Sequence, residues 1–176
     1  MTRQASLTVV TTPQHNKVLL VKRKDVPVWV LPGGGVDENE TIEEAAKREL
    51  FEETGITSPF LQHVLSLTPI NALSEPTHIF ITFVPQEILA QHMFQDISDE
   101  CDEIAIFSKD ELPSMLFPIH RLWIHETLSI AEQGKKALPY TRKMDEVSYP
   151  WLIQTLILHP ILSIRYLTSM ILRFFS

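Results

Sequence analysis

The sequence predicts an α+β domain in which helices sandwich a sheet, and three observations carry that expectation. Five stretches read as strands, at 5–11, 17–21, 60–67, 78–84 and 103–107, rich in β-branched and other apolar residues. Two stretches, 41–54 and 119–132, carry helical periodicity instead. The two patterns do not alternate regularly, as they would in a doubly wound parallel sheet.

Taken in order, the first strand ends at a turn cluster, Pro13-Gln14-His15-Asn16, and the second follows it. Residues 25–30 lead through Trp29 into Leu31-Pro32-Gly33-Gly34-Gly35. The chain has five glycines, and three of them stand together here, so the backbone needs unusual freedom at this spot. The stretch reads as a glycine loop. The helix after it is clearly punctuated. Thr41 and Glu44 fit a capping box, Gly55 suits a left-handed stop, and Ile42, Ala45, Ala46 and Leu50, with Phe51 as a further candidate, form its apolar stripe.

The chain of 176 residues is long enough for one domain with a real core and short for two. We place that domain at residues 1–134, a linker at 135–150 with Pro139 and Pro150 as breakers, and a separate apolar segment at 151–176. The formal net charge of −7 argues against a nucleic-acid partner, because a phosphate backbone must be met by a surplus of Lys and Arg. Cys101 is the single cysteine, which excludes an intrachain disulfide and sets a cytoplasmic location as the expectation. The first seventeen residues lack the basic-then-apolar pattern of a secretory signal.

The chemistry concentrates on the helix at 41–54. Glu49, Glu52 and Glu53 stand at i, i+3 and i+4 and share one face. Like charges so placed destabilise an isolated helix by roughly 0.2–0.5 kcal/mol per pair, a cost that makes sense if a divalent cation sits among them. Carboxylate oxygens suit a hard ion, Mg²⁺ first and Mn²⁺ as its substitute. Arg48, four residues before Glu52, is placed to pair with it. Gly33, Gly34 and Gly35 run towards a helix N-terminus, whose free N–H groups favour anions, so they are read as the phosphate-binding stretch.

Residues 34–56 read Gly34, five residues, Glu40, seven residues, Arg48-Glu49-Leu50, one residue, Glu52-Glu53, one residue, Gly55-Ile56. This resembles the complete Nudix box, and the Leu-Pro-Gly-Gly lead-in is similar to that family's usual entry. With the flanking strands the resemblance extends over about residues 5–133. It implies the Nudix fold, an α/β/α sandwich with a mixed sheet, and hydrolysis of a nucleoside diphosphate linked to a group X. It further implies Glu49, Glu52 and Glu53 as metal ligands, Arg48 as the residue orienting them, and Glu40 as a loop-shaping residue. The base that takes the proton of the attacking water is then a box glutamate or one from a later loop, here Glu103 or Glu100. The small nucleotide substrate would be a nucleoside triphosphate, a nucleotide sugar, ADP-ribose or a dinucleoside polyphosphate. A catalytically inert nucleotide-binding relative, held at a membrane by the tail, is the alternative. Such a relative would be expected to lack a ligand glutamate, and all three are present.

The remaining signals are weaker. Trp29 reads as a core residue, with stacking on a base as the functional alternative. None of the seven histidines forms a close-spaced metal pair, and each is expected to be structural or at the surface. In 151–176, Ile153, Ile157, Ile161, Ile164, Leu167, Ile171 and Phe174 recur at helical intervals, with Pro160 as a kink. No run of about 20 apolar residues exists to span a bilayer. Packing on the domain or in a homodimer is therefore the favoured role, and contact with a membrane surface the less favoured one.

Overall fold

A computed structural model describes residues 3–25, 28–70, 74–92, 101–134, 139–144, 164 and 168. These residues contain strands β1 (Ala5–Thr11), β2 (Lys17–Arg23), β3 (Trp29–Val30), β4 (Gly33–Gly35), β5 (Gln62–Thr68), β6 (Thr77–Phe83), β7 (Cys101–Ser108) and β8 (Tyr140–Lys143). The helices are α1 (Ile42–Thr54), α2 (Gln86–His92) and α3 (Pro118–Glu132).

The strands form one mixed sheet in the order β3-β2-β1-β6-β5-β8, with β7 on β2 and β4 on β1. β1 runs parallel to β6 along its whole length, and β8 parallel to β5; the other pairings are antiparallel. On its other side β1 is shared. Its last residues pair with β2, Val10 to Leu19, and its first with β4, Leu7 to Gly33. The sheet therefore splits beside β1, and the glycine strand fills the split.

Alternation along each strand sends side chains to two faces. On one face Val9, Val18, Leu20, Leu65 and Ile79 pack with Ile119, Trp123, Ile124 and Leu128 of α3. On the other, Val10, Leu19 and Ile104 pack with Leu50 of α1 and Leu89 of α2, while Phe80 meets Ala46 and Ile42 of α1. Helices on both faces give the α/β/α sandwich.

The expected strands and both helices are present, with ends shifted by at most two residues. Thr41 and Glu44 form the reciprocal capping box, and Gly55 ends α1 at φ 68°. Five features differ from the sequence reading. Phe51, a candidate for the apolar stripe of α1, is exposed. Trp29–Val30, not read as a strand, pairs with β2 as β3. Gly33–Gly35, read as a loop, is strand β4, because residues without side chains can lie flat against β1 and α1 at once. Gln86–His92, not anticipated, forms α2 after Pro85, whose carbonyl accepts from Ile88 and Leu89. Within the stretch read as a linker, Tyr140–Lys143 forms edge strand β8. There the Arg142 Nε donates to Glu126 Oε1 of α3 at 2.9 Å, and Met144 N to Thr68 O at 2.9 Å. An exposed, polar edge strand shows no apolar alternation, so composition alone hides it.

Most of 151–176 lies outside the described residues. Ile164 and Thr168 are helical, with the Thr168 hydroxyl donating to Ile164 O at 2.8 Å. Among the described residues no helix is long and apolar enough to cross a membrane.

Gly33 is the tightest point of the split sheet. It has φ +142°, and a methyl group there would stand 2.2 Å from Ser6 O and 2.7 Å from Leu7 Cα, both backbone atoms. Gly33→Ala should therefore lose about 1–3 kcal/mol from the backbone conformation alone, read as a lower urea midpoint with an unchanged slope. An unchanged midpoint would mean that β4 is not seated in this way.

Candidate active site

Burial of Ala45, Ala46 and Leu50 on the sheet fixes the rotation of α1, and with it the direction of the glutamate face. Glu53 turns inward and is only 8% exposed. Its Oε2 accepts from Gly33 N at 2.8 Å and its Oε1 from the Cys101 thiol at 3.5 Å. The Glu49 side chain lies directly beneath Gly34, where a methyl group would come within 2.5 Å of its Oε1. Glu52 points outward, its side chain 54% exposed. Glycine at 33 is thus required by close approach to the β1 backbone, while Gly34 lies against the Glu49 carboxylate.

Arg48 ties these parts together. Its Nε and Nη2 donate to Glu40 Oε1 and Oε2, each at 2.9 Å, a bidentate pair. Nη2 also donates to Gly35 O at 3.0 Å, and Nη1 to Glu49 Oε1 at 2.8 Å and Glu52 Oε2 at 3.2 Å. The expected Arg48–Glu52 pairing is present, and Glu40, expected to shape the loop, does so as the main anchor of Arg48. Glu40 Oε2 also accepts from Asp37 N at 3.1 Å. The bond to Arg48 holds the Glu40 carboxyl below the usual glutamate range, against the opposing effect of partial burial. The same bond, followed by that to Glu49, raises the Arg48 guanidinium above its ordinary range, so its charge is permanent.

The donor set suits a hard divalent cation. Three carboxylates project from one helical turn, and two of them, Glu49 with a side chain 15% exposed and Glu53 at 8%, carry charge in partial burial that a cation would offset. Among the described residues, no three acidic, histidine or cysteine side chains converge tightly enough to enclose an ion in this conformation. Arg48 lies between Glu49 and Glu52 instead.

Other anticipated residues fall elsewhere. Glu103 stands opposite Lys22 in the β2–β7 register, and the two side chains pair at 3.1 Å. By alternation Glu103 shares the α3 face with Ala105 and Phe107. Cys101 reaches the α1 face because the register slips between Lys22 and Arg23. The structure thus does not bring Glu103 to the α1 carboxylates, and Glu100 lies outside the described residues. Trp29 is 9% exposed, edge-on to Phe107 at 4.9 Å, with the Lys22 ammonium 5.8 Å from its ring centroid. It is a core residue rather than an open stacking platform. Gly33 gives its N–H to Glu53, and Gly35 its carbonyl to Arg48.

Two residues, one at the site and one behind its glycine strand, escaped the sequence reading. Cys101, taken as a small structural residue, touches Glu53 from 48 positions away. His120, taken as structural or at the surface, accepts the Leu31 N–H on Nδ1 at 2.9 Å from 89 positions away. Neither has a local sequence signal, since both contacts are made by strand register and helix packing.

This fold and site define a class of protein in which an acidic helix face lies under a glycine strand. The chain belongs to the NUDIX domain family, whose model matches residues 1–127. It is 60% identical over 47 residues to a putative 8-oxo-dGTP diphosphatase of Bacillus subtilis, covering 27% of this chain and 32% of that relative. It is 31% identical over 107 residues to an ADP-ribose pyrophosphatase of Methanocaldococcus jannaschii, covering 59% of this chain and 62% of the relative. An RNA pyrophosphohydrolase of Caulobacter vibrioides is 33% identical over 124 residues, 60% of this chain and 70% of the relative. The crystal structure of a mutT/nudix family protein from Listeria innocua superposes with a TM-score of 0.56 at 26% identity, covering 74% of this chain and 94% of that one.

Burial pushes the His120 pKa down to about 3, helped by the positive charge of Arg23. In the unfolded chain it would titrate near 6.5. A depressed folded pKa means stability that is intact above about pH 6.5 and is lost as the pH falls from there towards 3. Thermal melts of the wild type should therefore decline more steeply over that window than those of His120→Asn, which cannot titrate. Parallel curves would contradict the assignment.

Proposed function

We propose that the chain hydrolyses a diphosphate linkage in a small nucleotide of the nucleoside diphosphate–X type, with Mg²⁺ as the metal and Mn²⁺ as a working substitute. The observation that carries this reading is the joint seating of Glu49 under Gly34 and Glu53 on Gly33, with Arg48 bridging Glu49 and Glu52. A complete trio argues for an enzyme over an inert binding relative.

When bound, the metal supplies charge screening for the diphosphate oxygens and a lowered pKa for the attacking water. Glu49, Glu52 and Glu53 are the residues that hold it. Arg48 keeps Glu49 from swinging away, and the Gly33 N–H keeps Glu53 pointed at the same turn. A carboxylate of this trio accepts the proton of the attacking water, a role for which Glu103, paired with Lys22 on the opposite face, is poorly placed. The net charge of −7 favours a small nucleotide over a long RNA backbone, and the single cysteine fits action in the cytoplasm. The names of the relatives make ADP-ribose and an oxidised deoxynucleoside triphosphate the first substrates to try.

A panel of nucleotides assayed for released phosphate or pyrophosphate with Mg²⁺ and Mn²⁺ tests the activity. On the best substrate, Glu53→Gln should lower kcat by about 10²–10⁴-fold while the fold stays intact, because glutamine still accepts from Gly33. Glu103→Gln should stay within about threefold of wild type. Equal losses in the two variants would refute the assignment.

Residues 151–176 are read as an amphipathic segment that packs on the domain or on a second subunit. Deleting them should leave turnover in place and change oligomeric state or lipid binding, measured by light scattering and vesicle sedimentation. Loss of soluble folded protein would instead make the segment part of the core.

A further inference from the structure

We propose that His120 is a positioning residue for the acidic site: by accepting the Leu31 N–H it sets where the glycine strand lies over α1, and so where Glu53 and Glu49 sit. This rests on the hydrolase reading above, in that those carboxylates do the chemistry. It adds a residue from outside the box, 89 positions from its partner.

The lead-in Leu31-Pro32-Gly33 has only two backbone donors, because proline has none. A side chain captures each of them. Leu31 N donates to His120 Nδ1 at 2.9 Å, and Gly33 N donates to Glu53 Oε2 at 2.8 Å. Between them the Pro32 carbonyl accepts from Thr8 N of β1 at 2.9 Å. Three successive residues are thus pinned to α3, β1 and α1 in turn. Moving the first pin shifts the third, since no free residue separates them.

The pin on the α3 side is itself braced. Trp29 N donates to Met115 O at 3.0 Å, and Phe117 N donates to Trp29 O at 2.9 Å. The segment that leads into α3 is therefore bonded to Trp29 of β3 on both sides of Leu116. Pro118 opens the helix, and His120, two residues on, comes under Leu31. Its ring stacks on Trp123 at 5.1 Å and meets Phe117 edge-on at 5.6 Å. Leu31 is 1% exposed and His120 9%, so water does not readily replace the bond. With Nδ1 as the acceptor, the ring proton belongs on Nε2.

A purely structural histidine would matter through its packing, a positioning one through its acceptor. His120→Phe keeps the ring and removes the acceptor. His120→Asn keeps an oxygen near the place of Nδ1 and removes most of the ring. The full-length wild type and both variants would be compared by amide hydrogen exchange at Leu31 and Gly33, by Mn²⁺ affinity without substrate, and by kcat and KM on the best substrate. In folded His120→Phe, exchange at both amides should quicken. Its Mn²⁺ affinity and kcat should fall about 10–100-fold, with KM within twofold. His120→Asn should restore protection at Leu31 and most of both losses. Unchanged Gly33 exchange and Mn²⁺ affinity in folded His120→Phe would overturn the proposal, as would an asparagine variant no better than the phenylalanine one. If His120→Phe does not fold, wild-type Mn²⁺ affinity in His120→Asn supports the proposal and its loss overturns it. A wild type that turns over no nucleotide would defeat the hydrolase reading, while the exchange and Mn²⁺ measurements still decide the positioning role.

Discussion

The contact between the glycine strand and the glutamate face of α1 is the constraint on which the rest of the structure depends. Gly33 lies so close to the backbone of Ser6 and Leu7 that no side chain fits there, and a side chain at Gly34 would have to displace the Glu49 carboxylate. The Gly33 N–H then fixes Glu53, a carboxylate that would otherwise be unfavourable at 8% exposure. The split in the sheet beside β1 exists to admit this strand, and β2, β3 and the start of α3 are arranged around it.

Charge balance follows from the same geometry. Glutamates at i, i+3 and i+4 repel, and in a bare helix that repulsion would loosen the last turns. Here Arg48 spreads one permanent positive charge over Glu40, Glu49 and Glu52 while also bonding Gly35. The cluster stays net negative, which suits a divalent cation better than a second arginine would. An acidic protein can in this way handle phosphate chemistry without a basic surface.

What the sequence made legible was what local pattern controls. The α1 boundaries, its capping box and its glycine stop are written within fifteen residues, and so is the spacing of Glu49, Glu52 and Glu53. What it hid depends on residues far apart. The glycine stretch looks like a loop until β1 is seen to pair with it, and β8 looks like a linker because an exposed edge strand needs no apolar alternation. Glu103 looked available as a base because it follows an acidic run, yet strand register turns it to the other face and into a pair with Lys22. His120 and Cys101 show the reverse: ordinary residues by sequence, they are carried by helix packing to Leu31 behind the glycine strand and by a slip in register to Glu53.

The central claim is that Glu49, Glu52 and Glu53, held against the glycine strand, are where a divalent cation binds. Titration of Mn²⁺ into the isotope-labelled protein, followed by paramagnetic broadening of backbone amides, tests it most directly. The account predicts that Gly33, Gly34 and residues 49–53 of α1 broaden first, while β8 and the far end of α3 stay sharp. Broadening centred on any other part of the chain, with the amides around Gly34 unaffected, would contradict it.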